Sequence, residues 1–206
     1  MKTMKITIAA LATFVFMIAT ATTVKAQSFA EYQATNQSQL SISGTSSLHE
    51  WHMKLDALNC KIMGEQVSGK DLVLKNIDFE AKVSNLKSNE SSIMDNKAYK
   101  AMKEGKYPTI SFTGNQVYTL PLSKDQFSGT VSGMLSIAGK KKQVEFNIKG
   151  NSENGVITVE GDYPLKMTDF GIDPPTAFFG TLKTGDQIKV HFKILLKNNS
   201  TISSLN

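Results

Sequence analysis

The triplet Asp169-Phe170-Gly171 is the part of the chain that looks most like a catalytic motif, because Asp-Phe-Gly binds magnesium in protein kinases. In a kinase this triplet works with a glycine-rich phosphate loop, a strand lysine paired with a helix glutamate, and a catalytic loop that begins with His-Arg-Asp. The chain contains no arginine and has none of these partner motifs. Phosphoryl transfer is therefore excluded as the role of the triplet.

Asp169 and Asp173 could instead form an acid–base pair of carboxylates. In a segment rich in glycine and proline, however, aspartates usually bond neighbouring backbone amides and shape a turn. We expect Asp169 to organise such a turn and Gly171 to adopt a positive φ angle within it. Phe170 and Ile172 are then predicted to face the dry interior of the domain.

His49, His52 and His191 are the only histidines, and they are the best candidates for a metal site or a catalytic base. Residues three apart on a strand point to opposite faces, so His49 and His52 diverge unless the backbone bulges between them. The sequence has no G-x-S-x-G, C-x-x-C, H-E-x-x-H or P-loop motif. We expect no enzymatic activity, metal or cofactor. An exported metal-binding protein or metal-dependent enzyme using the three histidines is the alternative.

Short runs with an apolar residue at every second position predict strands with one dry face and one wet face. The eight runs are 38–44, 50–59, 71–84, 109–119, 126–138, 142–150, 155–164 and 186–197. Short connections predict antiparallel pairing, and an even number of strands allows the sheet to close. The predicted fold is all-β, an eight-stranded antiparallel barrel. Its interior either holds one small elongated ligand or is filled with side chains, which would make the domain an interaction module.

One segment breaks the strand pattern and predicts a single inserted helix. Ser92 is the predicted N-cap, with Asp95 three residues later as in a short capping box. Met94, Ala98 and Met102 recur at intervals of four residues and form one apolar stripe. The stripe fits either plain core packing or a flexible lid over the mouth of the barrel.

Residues 1–26 have the pattern of a secretory signal peptide, with a predicted cut after Ala26. We therefore expect a single domain over residues 27–206, periplasmic or secreted. No second long apolar run follows, so no stable membrane insertion is expected after cleavage.

Without the three lysines of the signal, 20 of the 23 lysines remain against 18 acidic residues, a net charge of +2. This near balance argues against nucleic-acid binding. The single cysteine, Cys60, excludes an internal disulfide.

Four strings, in a fixed order along the chain, resemble the YceI-like family of exported bacterial proteins. The strings are GTSSLHEW at 44–51, KYPTISF at 106–112, GMLSIAGK at 133–140, and DFGI at 169–172 followed by the proline pair at 174–175. The resemblance covers nearly the whole mature chain. It implies a lipocalin-like barrel, and members of the family bind polyisoprenoids or other long-chain lipids. It does not identify the lipid, and it leaves a homodimer open.

The predicted function is non-enzymatic binding of a long-chain apolar lipid, namely a polyisoprenoid, a quinone-like lipid or a fatty-acyl lipid. Such a ligand needs a long dry cavity with few polar groups at its mouth. The candidate lipid-binding residues are inward-facing strand residues, Phe170 and Ile172 turned towards the barrel from a loop, and Phe178 and Phe179, which are expected to rim the opening. They are Trp51, Met53, Leu55, Phe79, Phe112, Val131, Leu135, Phe146, Phe170, Ile172, Phe178, Phe179 and Phe192.

Overall fold

The computed structural model describes residues 30–67, 71–115, 117–121, 126–177 and 179–199. The predicted signal peptide and Phe178 lie outside these residues. The described strands are β1 Ala30–Ala34, β2 Gln39–Ser46, β3 Glu50–Leu55, β4 Asn59–Val67, β5 Asp71–Lys82, β6 Leu86–Ser88, β7 Thr109–Gly114, β8 Val117–Tyr118, β9 Leu120–Pro121, β10 Gln126–Ile137, β11 Lys140–Glu153, β12 Val156–Lys166, β13 Thr176–Ala177 and β14 Leu182–Asn198.

The described part of the chain has one α-helix, α1 (Ser92–Ala101), between β6 and β7. Two short 3-10 helices, Val83–Asn85 and Met167–Phe170, follow β5 and β12. None of the helices in the described ranges is long and apolar enough to cross a membrane.

The strands form an antiparallel sheet that closes on itself. β14 pairs with β12 along one edge, and along the other edge it pairs with both β1 and β2. β1 and β2 are therefore two halves of one bent strand. β3 with β4, and β5 with β6, are bent in the same way, because β4 pairs with β5 and β3 pairs with β6. Within the described ranges the ring runs through β1, β4, β5, β7, β10, β11, β12 and β14, so the predicted eight-stranded antiparallel, lipocalin-like barrel is confirmed.

The alternation of side chains places one face of each strand inside the barrel. In β3, Trp51, Met53 and Leu55 are buried, whereas His52 and Lys54 are exposed. Successive side chains of a strand point to opposite faces, so this pattern follows directly from the sequence. Burying the apolar face is the main stabilisation available, since the described residues contain one cysteine and it is unpaired.

The predicted strand boundaries miss two half-strands, β1 and all of β4 after Asn59. The predicted run 50–59 crosses a break at residues 56–58, where the backbone N–H of Asp56 bonds the carbonyl of Asn85. β4 then continues to Val67. The missed segments do alternate, with Cys60 and Ile62 buried in β4, but small residues at inner positions, such as Gly64 beside the ring of Tyr32, weaken the hydrophobic signal.

The helix begins one residue earlier than predicted. Ser91, not Ser92, is the N-cap, and its hydroxyl accepts a hydrogen bond from the Met94 N–H at 3.4 Å. Asp95 does not complete a capping box. Its carboxylate is buried and accepts a hydrogen bond from the Ser88 N–H at 2.7 Å, which ties the helix to β6.

The outer face of the barrel carries cross-strand pairs of opposite charge between β12 and β14. Asp162 lies 2.9 Å from His191 Nδ1 and 3.3 Å from Lys189 Nζ, and Glu160 lies 2.7 Å from Lys193 Nζ. The hydrogen bond with His191 lowers the pKa of the Asp162 carboxyl, and the bond with Lys193 lowers the pKa of Glu160. These pairs are exposed, so they fix strand register more than they add stability.

Candidate functional site: an apolar cavity in the barrel

The interior of the barrel is open and contains a cavity of about 450 Å³. Aliphatic and aromatic side chains from β2, β3, β4, β5, β7, β10, β11, β12 and β14 make up most of its wall. Within the described residues, no buried side-chain nitrogen or oxygen lacks a hydrogen-bond partner. A ligand in the deep part of the cavity would therefore be held by apolar contact rather than by polar recognition.

Most of the predicted cavity residues are brought together by the fold. The ten that line the cavity are Trp51, Met53, Leu55, Phe79, Phe112, Val131, Leu135, Phe146, Ile172 and Phe192. All but Ile172 are inward-facing residues of strands. Their position in the wall is a structural fact, whereas contact with a lipid is still a prediction.

The three remaining candidates lie elsewhere or are not described. Phe170 is buried, but Met167 takes the cavity position of their 3-10 helix, and the Phe170 ring packs near Lys142 Nζ, 5.9 Å from the ring centroid. Phe179 is fully exposed near the tip of the β13–β14 hairpin and does not line the cavity. The prediction that Phe170 faces the cavity is therefore wrong, because loop residues have no period that reports direction. For Phe179 the sequence predicts a place at the rim of the opening, and Phe179 lies in the hairpin whose flanking residues Ala177 and Leu182 line the cavity. Phe178 lies outside the described residues.

Glycines on the inner face leave space for aromatic rings of neighbouring strands. A Cβ atom added at Gly161 would lie 2.5 Å from Cζ of Phe192, and one at Gly133 would lie 2.5 Å from Cζ of Phe112. Each glycine thus leaves the space in which a neighbouring ring is seated. This arrangement keeps the rings out of the centre of the barrel and helps to leave the cavity open.

Phe146 is the centre of an aromatic cluster on one side of the cavity. Its ring centroid lies 5.5 Å from that of Phe112 and 5.6 Å from those of Tyr163 and Phe192, with tilted or edge-on geometry. Such pairs contribute about 0.5–1.5 kcal/mol each beyond the burial of area. The cluster therefore stiffens the wall across three adjacent strands, β11, β12 and β14, and reaches β7.

The wall also contains the thiol of Cys60. Two causes together raise the pKa of this thiol from 9.0 to about 12: burial, which is the larger, and the nearby carboxylate of Asp78. The thiol is consequently protonated at neutral pH and behaves as a small apolar group. A reactive or metal-binding thiolate at this position is disfavoured.

The polar residues of the cavity wall, apart from Cys60 and Tyr163, are confined to three segments: residues 46–49, residues 90–97, and residues 176–177 with 182–184. Hydrogen bonds join the first and third segments, since the Ser47 N–H bonds the Lys183 carbonyl at 2.9 Å. His49 Nδ1 lies 3.9 Å from the carboxylate of Glu90, which brings the first and second segments together. We call these three segments the mouth rim, because they border the cavity and are largely exposed.

Helix α1 forms part of the cavity wall beside the mouth rim. Met94, Ala98 and Met102 all line the cavity. The helix is anchored by Tyr99, whose hydroxyl lies 2.7 Å from the Leu86 carbonyl and 3.0 Å from that of Ser84. The stripe is therefore part of the cavity wall.

The loop after β12 has the predicted shape but a different organiser. Gly171 has a φ of 64°, as expected. Asp169 is exposed and pairs with Lys142 Nζ at 3.1 Å. The turn is held instead by Asp186, whose carboxylate accepts hydrogen bonds from the Thr168 N–H at 2.9 Å and hydroxyl at 2.7 Å. These bonds lower the pKa of Asp186. The prediction that Asp169 organises the turn is wrong, because the carboxylate that does so belongs to Asp186 on β14, a strand that follows later in the chain.

The three histidines do not form a site together. His52 is on the exposed face of β3, and His191 is on the outer face of β14 beside Asp162. His49 borders the cavity mouth. Among the described residues, no group of three or more histidine, cysteine, aspartate or glutamate side chains is placed to hold a metal ion.

The prediction from sequence omitted several wall residues. Leu40 and Ile42 of β2, Ile188 of β14, and Leu165 of β12 all line the cavity. The signal was present, since each occupies an alternating apolar position. What alternation does not tell is whether a buried residue borders empty space or packed atoms.

Residues 25–196 of the chain match the YceI-like domain family. The chain belongs to the YceI-like family. No curated protein has a matching sequence. BcnA from Burkholderia cenocepacia superposes with a TM-score of 0.60 at 13% identity, covering 77% of this chain and 95% of BcnA. A polyisoprenoid binding domain from Saccharophagus degradans, implicated in plant cell wall breakdown, has a TM-score of 0.59 at 11% identity, covering 83% and 99%.

A third solved structure, the YceI protein of Campylobacter jejuni, has a TM-score of 0.53 at 18% identity, covering 69% of this chain and 82% of that protein. At these identities the structural similarities establish the fold. Family membership and fold together support a lipid-binding barrel, and the open cavity is the feature of this YceI-like chain that a lipid would occupy.

Proposed function

We propose that this YceI-like protein binds one long-chain apolar lipid inside its barrel and catalyses no reaction. The lipid is a polyisoprenoid, a quinone-like lipid or a fatty-acyl lipid, and the protein acts in the periplasm or after secretion. The observation that carries this proposal is the apolar cavity of about 450 Å³, with its polar wall residues gathered mainly at the mouth rim. The structurally similar Saccharophagus protein, described as a polyisoprenoid binding domain, gives further support.

The cavity suits such a ligand energetically. Its volume falls within the range of about 300–1,000 Å³ that is usual for small-molecule pockets. Burial of apolar area contributes roughly 25 cal/mol per Å², so a long hydrocarbon chain gains several kcal/mol without any charged contact. A polar end of the lipid would meet the mouth rim, where Ser46, Lys97, Lys183 and Thr184 border the cavity.

The test is native purification of the mature protein, followed by solvent extraction and mass spectrometry of what is released. Val190 faces the cavity on β14, whereas Gln187 is an exposed residue of the same strand. We expect Val190→Trp to fill the cavity and reduce bound lipid, and Gln187→Trp to retain it. A well-folded wild-type protein that is empty and does not bind added long-chain lipids would overturn the proposal.

The proposed location has a separate test. Expression of the full chain in a Gram-negative host, followed by fractionation and N-terminal sequencing, should give a mature protein that begins at Gln27. Retention of residues 1–26 in the cytoplasmic fraction would contradict the proposed export.

A further inference from the structure

The exposed large apolar side chains are not scattered over the barrel. Leu48, Ile93, Phe179 and Met134 are the exposed large hydrophobic residues of the described chain. Leu48 and Ile93 are each 67% exposed and at the same time line the cavity. Phe179 lies in the β13–β14 hairpin, whose flanking residues also line the cavity. Only Met134, 40% exposed on β10, does not belong to these segments.

The mouth-rim segments that carry Leu48 and Ile93 form one continuous surface with the β13–β14 hairpin, whose loop carries Phe179. Ser47 hydrogen-bonds the backbone of Lys183, and His49 lies 3.9 Å from Glu90 just before the helix. The exposed apolar residues therefore surround the entrance to the cavity and continue its apolar wall outward. Exposed apolar groups that surround a cavity mouth are typical of interaction surfaces.

Phe179 is unusual in backbone conformation as well as exposure. Its φ is 54°, in the left-handed region that bulky residues rarely adopt. Gly180 follows with a φ of 88°, so the hairpin tip turns sharply at this position. The turn presents the ring to solvent, where it is fully exposed. A strained, exposed aromatic residue at the entrance to a binding cavity indicates a role in binding a partner.

Among the exposed charged residues of the mouth rim, Lys97 and Lys183 outnumber Glu90, so positive charge is in slight excess. On helix α1, Lys97 and Lys100 are exposed, and the only acidic residue, Asp95, is buried against β6. Lys183 adds a further exposed positive charge from the hairpin. Glu90 is the acidic residue that borders the cavity, and it lies next to His49. Lysines beside exposed apolar residues complement a surface of anionic phospholipid head groups.

We propose that the mouth rim docks onto an anionic phospholipid bilayer. Leu48, Ile93 and Phe179 insert at the level of the head groups and upper acyl chains, while Lys97 and Lys183 contact lipid phosphates. The open end of the cavity then faces the bilayer, so an apolar lipid passes between the two without crossing water. This inference rests on the proposed function, because the bilayer is the source or acceptor of the bound lipid.

The test is co-flotation of the purified full-length mature protein with vesicles. One set contains phosphatidylcholine and phosphatidylglycerol, and the other contains phosphatidylcholine alone. The wild type is expected to bind the anionic vesicles more strongly, with weaker binding at high salt. The triple variant Leu48→Ser, Ile93→Ser, Phe179→Ser should bind at least about tenfold more weakly, since it lacks the inserted apolar area.

Met134→Ser is the matched control, because it removes an exposed apolar side chain outside the mouth rim. It should bind vesicles as the wild type does, and all variants should retain the wild-type unfolding temperature. Unchanged binding of the triple variant, equal loss in Met134→Ser, or no wild-type binding to either vesicle overturns the inference. In the last case, a concentration-dependent dimer in analytical ultracentrifugation would assign the same surface to contact between two copies.

The same preparations separate this inference from the proposed function. Lipid extraction reports the content of the cavity independently of flotation. If the protein carries lipid but does not bind vesicles, only the docking proposal is overturned. If it binds vesicles but never contains lipid, only the proposed lipid-binding function is overturned.

Discussion

The buried thiol of Cys60 allows a quantitative test of how dry the cavity wall is. Burial, with a smaller contribution from the Asp78 carboxylate, raises its pKa from 9.0 to about 12, so the folded protein keeps the thiol protonated between pH 9 and about pH 12. The unfolded chain releases the proton above about pH 9 and then binds fewer protons than the folded state. The thiol's contribution to stability is therefore complete below about pH 9 and falls as the pH rises towards about 12. Each pH unit costs about 1.4 kcal/mol.

The perturbation is Cys60→Ala, with the free energy of unfolding measured in urea at pH 8 and pH 10. The wild type should lose about 1.4 kcal/mol more than the variant between these pH values. Lysines and tyrosines titrate equally in both proteins, so their effects cancel in this difference. Equal losses in the two proteins would refute the reasoning, because they would mean that water solvates Cys60 in the folded barrel. Cys60→Val provides a second comparison if the smaller alanine destabilises the wall.

Three further predictions concern the wall and its supports. Gly161→Ala should push the Phe192 ring towards the cavity, which should lower the free energy of unfolding in urea by about 1–3 kcal/mol and reduce the amount of bound lipid. Unchanged stability and lipid content would show that Gly161 does not make room for the Phe192 ring. Tyr99→Phe should cost about 1 kcal/mol by removing the hydroxyl that anchors the helix, and an unaltered urea midpoint would show that this anchor is dispensable. Asp186→Ala should speed amide exchange at Thr168, measured by hydrogen–deuterium exchange, whereas wild-type protection would assign the turn to another group.

Alternation along the strands predicted both the fold class and most of the cavity wall. Trp51, Met53 and Leu55 share a face because a strand repeats every two residues, whatever the rest of the chain does. The helical stripe of Met94, Ala98 and Met102 was equally readable, since its spacing depends only on local geometry. Such features can be predicted from the sequence because the spacing of apolar residues in a strand or helix depends only on that element's local geometry.

Features that depend on distant partners were predicted poorly. Asp169 and Asp186 are both acidic residues near a turn, and only the closing of the barrel decides which one meets Thr168. Phe170 and Phe179 are both aromatic, yet one is buried away from the cavity and the other is fully exposed. Neither lies in a regular strand, so no period reports where its side chain points.

The sequence by itself determined that the chain forms an antiparallel barrel with an apolar inner face, because periodicity two and short turns are local properties. The tertiary structure alone decided that the interior is open. That outcome depends on which rings rest on inward-facing glycines such as Gly133 and Gly161, and on how strands far apart in sequence are registered. Alternation separates the buried face from the exposed one, whereas the space enclosed by that face is set by the packing of all eight strands together.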